Sequence, residues 1–357
     1  MSKYKNFWLT ILSTVFILVV LEISLSFMLP KHYVNKYYKV IYRLWDQGKI
    51  FKNIDNFFKF EPNLSVRHEV FFDLNNEFIK EYSYKIETNN FGLVQDNDIY
   101  SGKPSILFLG DSFTEGMGAP SWVNYFGGKV NNYQVINGGI FGTGPQQFEL
   151  LEKHIDQHYD IEKVIVLYIG GDIVRDPFNF SKQNLKCLEN HNYCKGPENF
   201  YGFPLEEKDP TNFLKKLKKY RDDKKSKLTW KKIRRKIKNS LANLYIIRIP
   251  RDFLQNKFYK SQNEKITKNF NSIRNLVNKY GKDIIFIQIQ TLDEIHNKGK
   301  NYNSVYAEKF ITGLTDKHFH CSFEDDPSYF YNYDGHPNEE GYKKLYNCVS
   351  KILNKNL

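Results

Sequence analysis

The sequence predicts an α/β fold: a three-layer α/β/α domain on a parallel five-stranded sheet, preceded by one N-terminal transmembrane helix. Three observations predict it. Short apolar runs that read as buried strands recur from residue 105 onward and alternate with helical patterns, which implies parallel pairing through right-handed crossovers. The first three runs each stop at a glycine break (Gly110-Asp111-Ser112, Asn137-Gly138-Gly139, Gly170-Gly171-Asp172), at the strand ends where open α/β sheets place ligands. Residues 7–29 form an apolar stretch interrupted by one charge, Glu22.

At about 1.5 Å per residue that stretch spans the ~30 Å hydrocarbon core of a bilayer. No Ala-x-Ala-like site follows it, so an uncleaved anchor over residues 1–30 is expected in preference to a cleaved signal peptide. Lys3 and Lys5 precede it while Lys31, Lys36, Lys39 and Arg43 follow, so the positive-inside rule leaves the orientation open. Glu22 is costly in lipid and marks either a helix partner or a reach to the interface. Residues 31–100 read as a lead-in that packs on the main domain, with candidate strands near 70–72 and 82–87. A turn follows at Thr88-Asn-Asn-Phe-Gly92, whose Asn and Gly suit positive φ.

The main domain, residues 101–357, carries strands at 105–109, 133–137, 163–169 and 283–290, with a weak fifth at 318–322. Helices are expected over 122–130, 146–158, 263–280 and 306–314, and from Pro337 to the end. Ile266, Phe270, Ile273 and Val277 share one helical face, as do Tyr342, Leu345, Val349 and Ile352. With 357 residues and 16% aromatics the chain can build a sizeable core.

A basic helical insertion at about 177–261 interrupts the repeat. Between Lys215 and Lys238, fourteen Lys/Arg oppose Asp222 and Asp223, a local +12 that equals the net charge of the whole chain. The remainder is neutral, which argues against a nucleic-acid partner. Ile233, Ile237, Leu241 and Leu244 recur at helical spacing among these charges. That pattern suits an amphipathic helix at an anionic lipid surface, or a solvated insertion. Cys187, Cys194, Cys321 and Cys348 allow three full pairings. Outside the cytoplasm, Cys187–Cys194 would close a short loop and Cys321–Cys348 would tie the fifth strand to the last helix; four free thiols would fit a cytoplasmic domain.

The chemistry gathers at strand ends. A serine hydroxyl is a poor nucleophile until a base takes its proton, and histidine does this near neutral pH. The imidazolium then needs a carboxylate to orient it. Ser112 follows the first strand, and Asp334-Gly335-His336-Pro337 precedes the last helix. His318, His320 and Cys321 suggest a metal site, but His-x-His on a strand puts both rings on one face without a fourth ligand, so no metal is expected. No cofactor is expected either.

Gly110-Asp111-Ser112-Phe113-Thr114 after a strand, Asn137-Gly138-Gly139-x-x-Gly142, and Asp334-Gly335-His336-Pro337-Asn338 together resemble the SGNH/GDSL hydrolase superfamily. The lead-in Thr88-Asn-Asn-Phe-Gly-Leu93 and the apolar N-terminus resemble its bacterial, membrane-anchored members. The resemblance covers residues 88–171 and 283–357. It implies a flavodoxin-like sheet, with Ser112 as nucleophile, His336 as base and Asp334 as its partner. The backbone N–H groups of Ser112 and Gly139 would form part of the oxyanion hole.

The third block departs from the pattern. The superfamily reads Gly-Asn-Asp where this chain has Gly170-Gly171-Asp172, so Gly171 has no side chain to donate. Losing one such donor costs ~10²–10³ in kcat. Arg175 is a substitute donor, or else pairs with Asp172 or Asp176. The expected function is a serine ester hydrolase acting through an acyl-enzyme on Ser112, facing the periplasm. Its substrate would be an ester-bearing small molecule, lipid or acylated glycan. One alternative is an O-acyltransferase or deacetylase of a cell-envelope glycan, with a membrane acyltransferase as partner. Another is a non-catalytic glycan-binding protein on a degenerate SGNH fold.

Overall fold

The first apolar run becomes one helix in the computed structural model, α1 (Ser2–Met28). Asn6–Leu25 within it is long and apolar enough to cross a membrane, and its large side chains are exposed rather than packed in a core. The structure describes residues 2–28, 38–45, 50–54, 57–74, 77–128, 130, 132–175, 210–226 and 264–356, with isolated positions between 186 and 246. They divide into two units, Met1–Tyr33 with Arg221–Asn263, and Val34–Tyr220 with Glu264–Leu357. In the first unit Glu22 accepts a hydrogen bond from the Ile246 N–H at 3.1 Å, so the carboxylate has a partner from the insertion. Cys187, Cys194 and most of the basic amphipathic pattern lie outside the described residues.

The lead-in is more ordered than its sequence signals. Strands β1 (Tyr38–Trp45), β4 (Ser65–Leu74) and β5 (Glu77–Glu87) form an antiparallel sheet in the order β1-β4-β5, and β2 (Phe51–Ile54) pairs with β3 (Phe57–Phe60) in a hairpin. The expected strands at 70–72 and 82–87 are only fragments of β4 and β5. The polar His68 and Glu69 are buried in β4, which breaks the alternation that marks a half-buried strand. Val66 opposes Ile86, and Val70 opposes Tyr82. The turn behaves as expected: Asn89 Oδ1 accepts from the Phe91 and Leu93 N–H groups, both at 3.0 Å, and Gly92 has φ +85°.

The main sheet is parallel throughout, in the order β10-β9-β8-β6-β7. Its strands are β6 (Ser105–Gly110), β7 (Gln134–Gly139), β8 (Ile161–Tyr168), β9 (Ile284–Ile289) and β10 (His318–Cys321). Every residue of β6 and β9 is buried, as strands covered on both faces must be. One face (Ile106, Phe108, Ile165, Leu167, Ile285, Ile287) packs with Trp122, Phe126, Tyr342, Leu345 and Val349. The alternate residues face α3 (Pro145–Asp156) and α5 (Glu264–Tyr280), which pack on each other. In the insertion, α4 (Pro210–Ser226) sets Phe213 and Leu217 against Val40 and Phe71.

The helix expected at 122–130 is a 3-10 turn, Trp122–Phe126, preceded by the short α2 (Ser112–Glu115). Gly127 and Gly128 end it, leaving too few residues for an α-helix. α6 (Leu292–His296) and α7 (Tyr302–Thr312) follow β9, and the last helix, α8, runs Glu339–Asn356. It starts two residues after Pro337, with Asn338 Oδ1 capping the Gly341 N–H at 3.0 Å. Cys321 and Cys348 form a disulfide that ties β10 to α8.

Candidate active site

Ser112 is the first residue after the β6 break. Asp111 caps α2, its Oδ1 accepting from the Phe113 N–H at 2.9 Å. Ser112 therefore holds the first helical position, where a backbone N–H has no intrahelical acceptor and can meet an anion. The loop before α8 reaches it from the other side: His336 Nε2 lies 2.8 Å from Ser112 Oγ. Gly335 has φ +78°, a conformation open to glycine, and the reversal there turns both Asp334 and His336 inward. Tyr331 N–H donates to the His336 carbonyl at 2.9 Å and pins that loop. Asp334 Oδ2 is 3.2 Å from His336 Nδ1, within ion-pair distance but without the alignment of a hydrogen bond. The Asp334 side chain is 2% exposed.

Two residues of the lead-in sheet complete this site, and nothing in their sequence context marks them. Lys39 Nζ, from β1, donates to Asp334 Oδ1, and the Tyr82 hydroxyl, from β5, donates to Oδ2. Burial alone would raise the Asp334 carboxyl; Lys39, and then His336, outweigh it and hold it well below the usual carboxylate range. Burial, and next the Asp334 charge, push Tyr82 up, so its hydroxyl stays a donor. Its ring stacks on Tyr331 at 4.2 Å, and Tyr331 in turn donates to the Gly118 carbonyl at 2.6 Å.

Glu81 stands beside them, accepting from the Tyr333 N–H at 2.7 Å. Burial above all raises its carboxyl to about 7. A folded value above the unfolded 4.5 means that the native state binds the extra proton, so stability falls as pH rises through that window. Glu81→Gln should match wild type in thermal unfolding near pH 4 and exceed it near pH 8. Equal melting temperatures at both ends would show that Glu81 is ionised without cost.

The oxyanion side differs from the expectation in one respect. The Gly139 N–H donates to Asn137 Oδ1 at 3.0 Å, so this donor is already engaged. A side chain at Gly139 would put Cβ 2.2 Å from the Glu115 N, so only glycine lets β7 approach α2 this closely. Gly171 leaves open space, and Arg175 borders it: Nη2 is 3.8 Å from where a Cβ at 171 would lie. Its Nη1 is held by Asp111 Oδ2 at 2.7 Å, Asp172 Oδ1 at 2.6 Å and the Thr143 carbonyl at 3.0 Å. The pairing with Asp172 matches one sequence alternative; that with Asp111, the residue preceding Ser112, does not follow from spacing. Asp176 lies outside the described residues.

No family model and no curated protein matches this chain. It is similar to several solved structures at low identity. A member of the lipolytic protein G-D-S-L family from Veillonella parvula is 12% identical, with a TM-score of 0.34 over 70% of this chain and 98% of that one. A lipase/acylhydrolase from Enterococcus faecalis is 11% identical, with a TM-score of 0.36 over 70% and 95%. A catalytic mutant of an acetylxylan esterase from Geobacillus stearothermophilus is 11% identical, with a TM-score of 0.34 over 71% and 95%.

Proposed function

We propose that this chain is a membrane-anchored serine ester hydrolase that works through an acyl-enzyme on Ser112. The observation that carries the reading is the 2.8 Å contact between Ser112 Oγ and His336 Nε2, with a buried, charge-paired Asp334 behind the ring. His336 takes the hydroxyl proton as Oγ attacks the ester carbonyl, and returns it to the departing alcohol. A water then enters, is deprotonated by the same nitrogen, and releases the acid. The developing oxyanion meets the Ser112 N–H and, in place of the amide missing at Gly171, Arg175 Nη2. The Cys321–Cys348 disulfide supports an oxidising compartment, and hence a domain on the far side of the anchor from the cytoplasm.

The test uses the full-length protein in detergent. A fluorophosphonate probe should label Ser112, located by mass spectrometry, and should fail on Ser112→Ala and His336→Ala. A folded wild-type protein that takes no label would overturn the proposal and favour a binding protein.

The role given to Arg175 has its own check. Arg175→Lys keeps a charge between Asp111 and Asp172 but loses the second nitrogen, and should lower kcat by ~10²–10³ with KM little changed. Adding Gly171→Asn should then restore part of the loss. Wild-type turnover in Arg175→Lys would assign the oxyanion to other donors.

A further inference from the structure

We propose that His318, His320 and Glu308 bind one divalent cation of the zinc class at the outer edge of the main sheet, apart from the serine site. β10 is the edge strand, three strands from β6, or about 14 Å at the usual strand spacing. Strand alternation sends Phe319 and Cys321 into the core and leaves both histidines on the opposite face. α7 lays Glu308 over that face. The ligating atoms of the three residues lie within 4.8 Å of one another, so that small side-chain movements bring all three onto one ion. Among the described residues this is the one such group.

The donor set is chemically apt. Two imidazoles and a carboxylate, with a water in the fourth position, suit zinc and its borderline neighbours better than calcium or magnesium. The cluster already draws a positive charge: Lys300 Nζ lies 2.8 Å from Glu308 Oε2 and 3.2 Å from His320 Nε2. Lys300 is 42% exposed and can swing into solvent as an ion enters. The Tyr168 hydroxyl, 2.8 Å from His318 Nε2, gives that ring a partner that orients it. Beside His320 a cleft lined by Gln288, Gln290, Lys300 and Asp325 opens a route in. The sequence predicts no metal for want of a fourth ligand beside His318, His320 and Cys321; the disulfide takes Cys321, Glu308 stands in its place, and a water supplies the fourth position. A bound ion would clip α7 to β10. α7 also supports the turn at 170–174, where a side chain at Gly170 would meet Ser304 Oγ at 2.2 Å.

Zinc titration of the full-length, tag-free protein by calorimetry, after removal of metal with a chelator, tests this. One equivalent should bind saturably. His318→Ala and His320→Ala, checked for wild-type melting in chelator, should each weaken binding at least ~10-fold. Lys300→Ala should bind as tightly as wild type or several-fold tighter, because it removes the competing charge. Absence of saturable binding, binding that survives His320→Ala, or binding lost in Lys300→Ala would each overturn the proposal.

Discussion

Asp334→Asn should lower kcat by ~10⁴ on a short-chain aryl ester with little change in KM. The reason is the way its two oxygens are used. Oδ1 accepts from Lys39; Oδ2 faces both Tyr82 and His336 Nδ1. An asparagine has one acceptor oxygen, and the Lys39 ammonium claims it, because an NH2 group cannot face a cation. The amide nitrogen then points at His336 and donates to Nδ1. That forces the ring proton onto Nε2, toward Ser112 Oγ, where in the proposed mechanism the nitrogen must be an acceptor to take the serine proton. A loss of less than about 10-fold in a protein with wild-type circular dichroism would mean that Asp334 orients nothing.

Lys39→Met should cost about 3–5 kcal/mol of stability near pH 7, measured by urea unfolding, because it strands a buried carboxylate whose main counter-charge is gone. The Lys39 side chain is 19% exposed and that of Asp334 2%, so solvent replaces little of what is lost. The direction with pH follows from the depressed carboxyl. Stability contributed by a group whose folded value lies below the unfolded 3.8 is fully present above about pH 4 and is lost as pH falls through the folded value. The gap between Lys39→Met and wild type should therefore be widest at neutral pH and narrow in acid. In a double-mutant cycle, Lys39→Met should cost far less on an Asp334→Asn background. Equal costs on both backgrounds would show that the two charges are not coupled.

These two predictions separate what was legible from what was not. β6, β8 and β9 were legible because each is a run of buried apolar residues, and a run covered on both faces needs no alternation to be recognised. The placement of Ser112 after a strand, and of Asp334 and His336 before the last helix, was legible because their neighbours (a glycine break, and a two-residue spacing) are local. The lead-in sheet was not. Its strands mix aromatic and charged residues on both faces, and pairing across residues 38–87 is set by register rather than by composition. The helix expected over 122–130 is only the 3-10 turn Trp122–Phe126, because periodicity alone does not weigh the glycines that end it.

By itself the sequence determined the five strands of the main sheet, its longer helices, the apolar N-terminal helix and the residue types at the strand ends. Each of these depends on neighbours within a few positions. Tertiary structure alone decided that Lys39 and Tyr82 close on Asp334, that Arg175 pairs with Asp111 beside the space Gly171 leaves, and that Glu308 meets two histidines. These are contacts between residues of different elements, in the first case nearly three hundred positions apart. A charged side chain at such a position carries no periodic signal, because its partner is chosen by the packing of whole layers. Once the layers are packed, burial makes the choice consequential, since an unpaired charge there is far costlier than one in water.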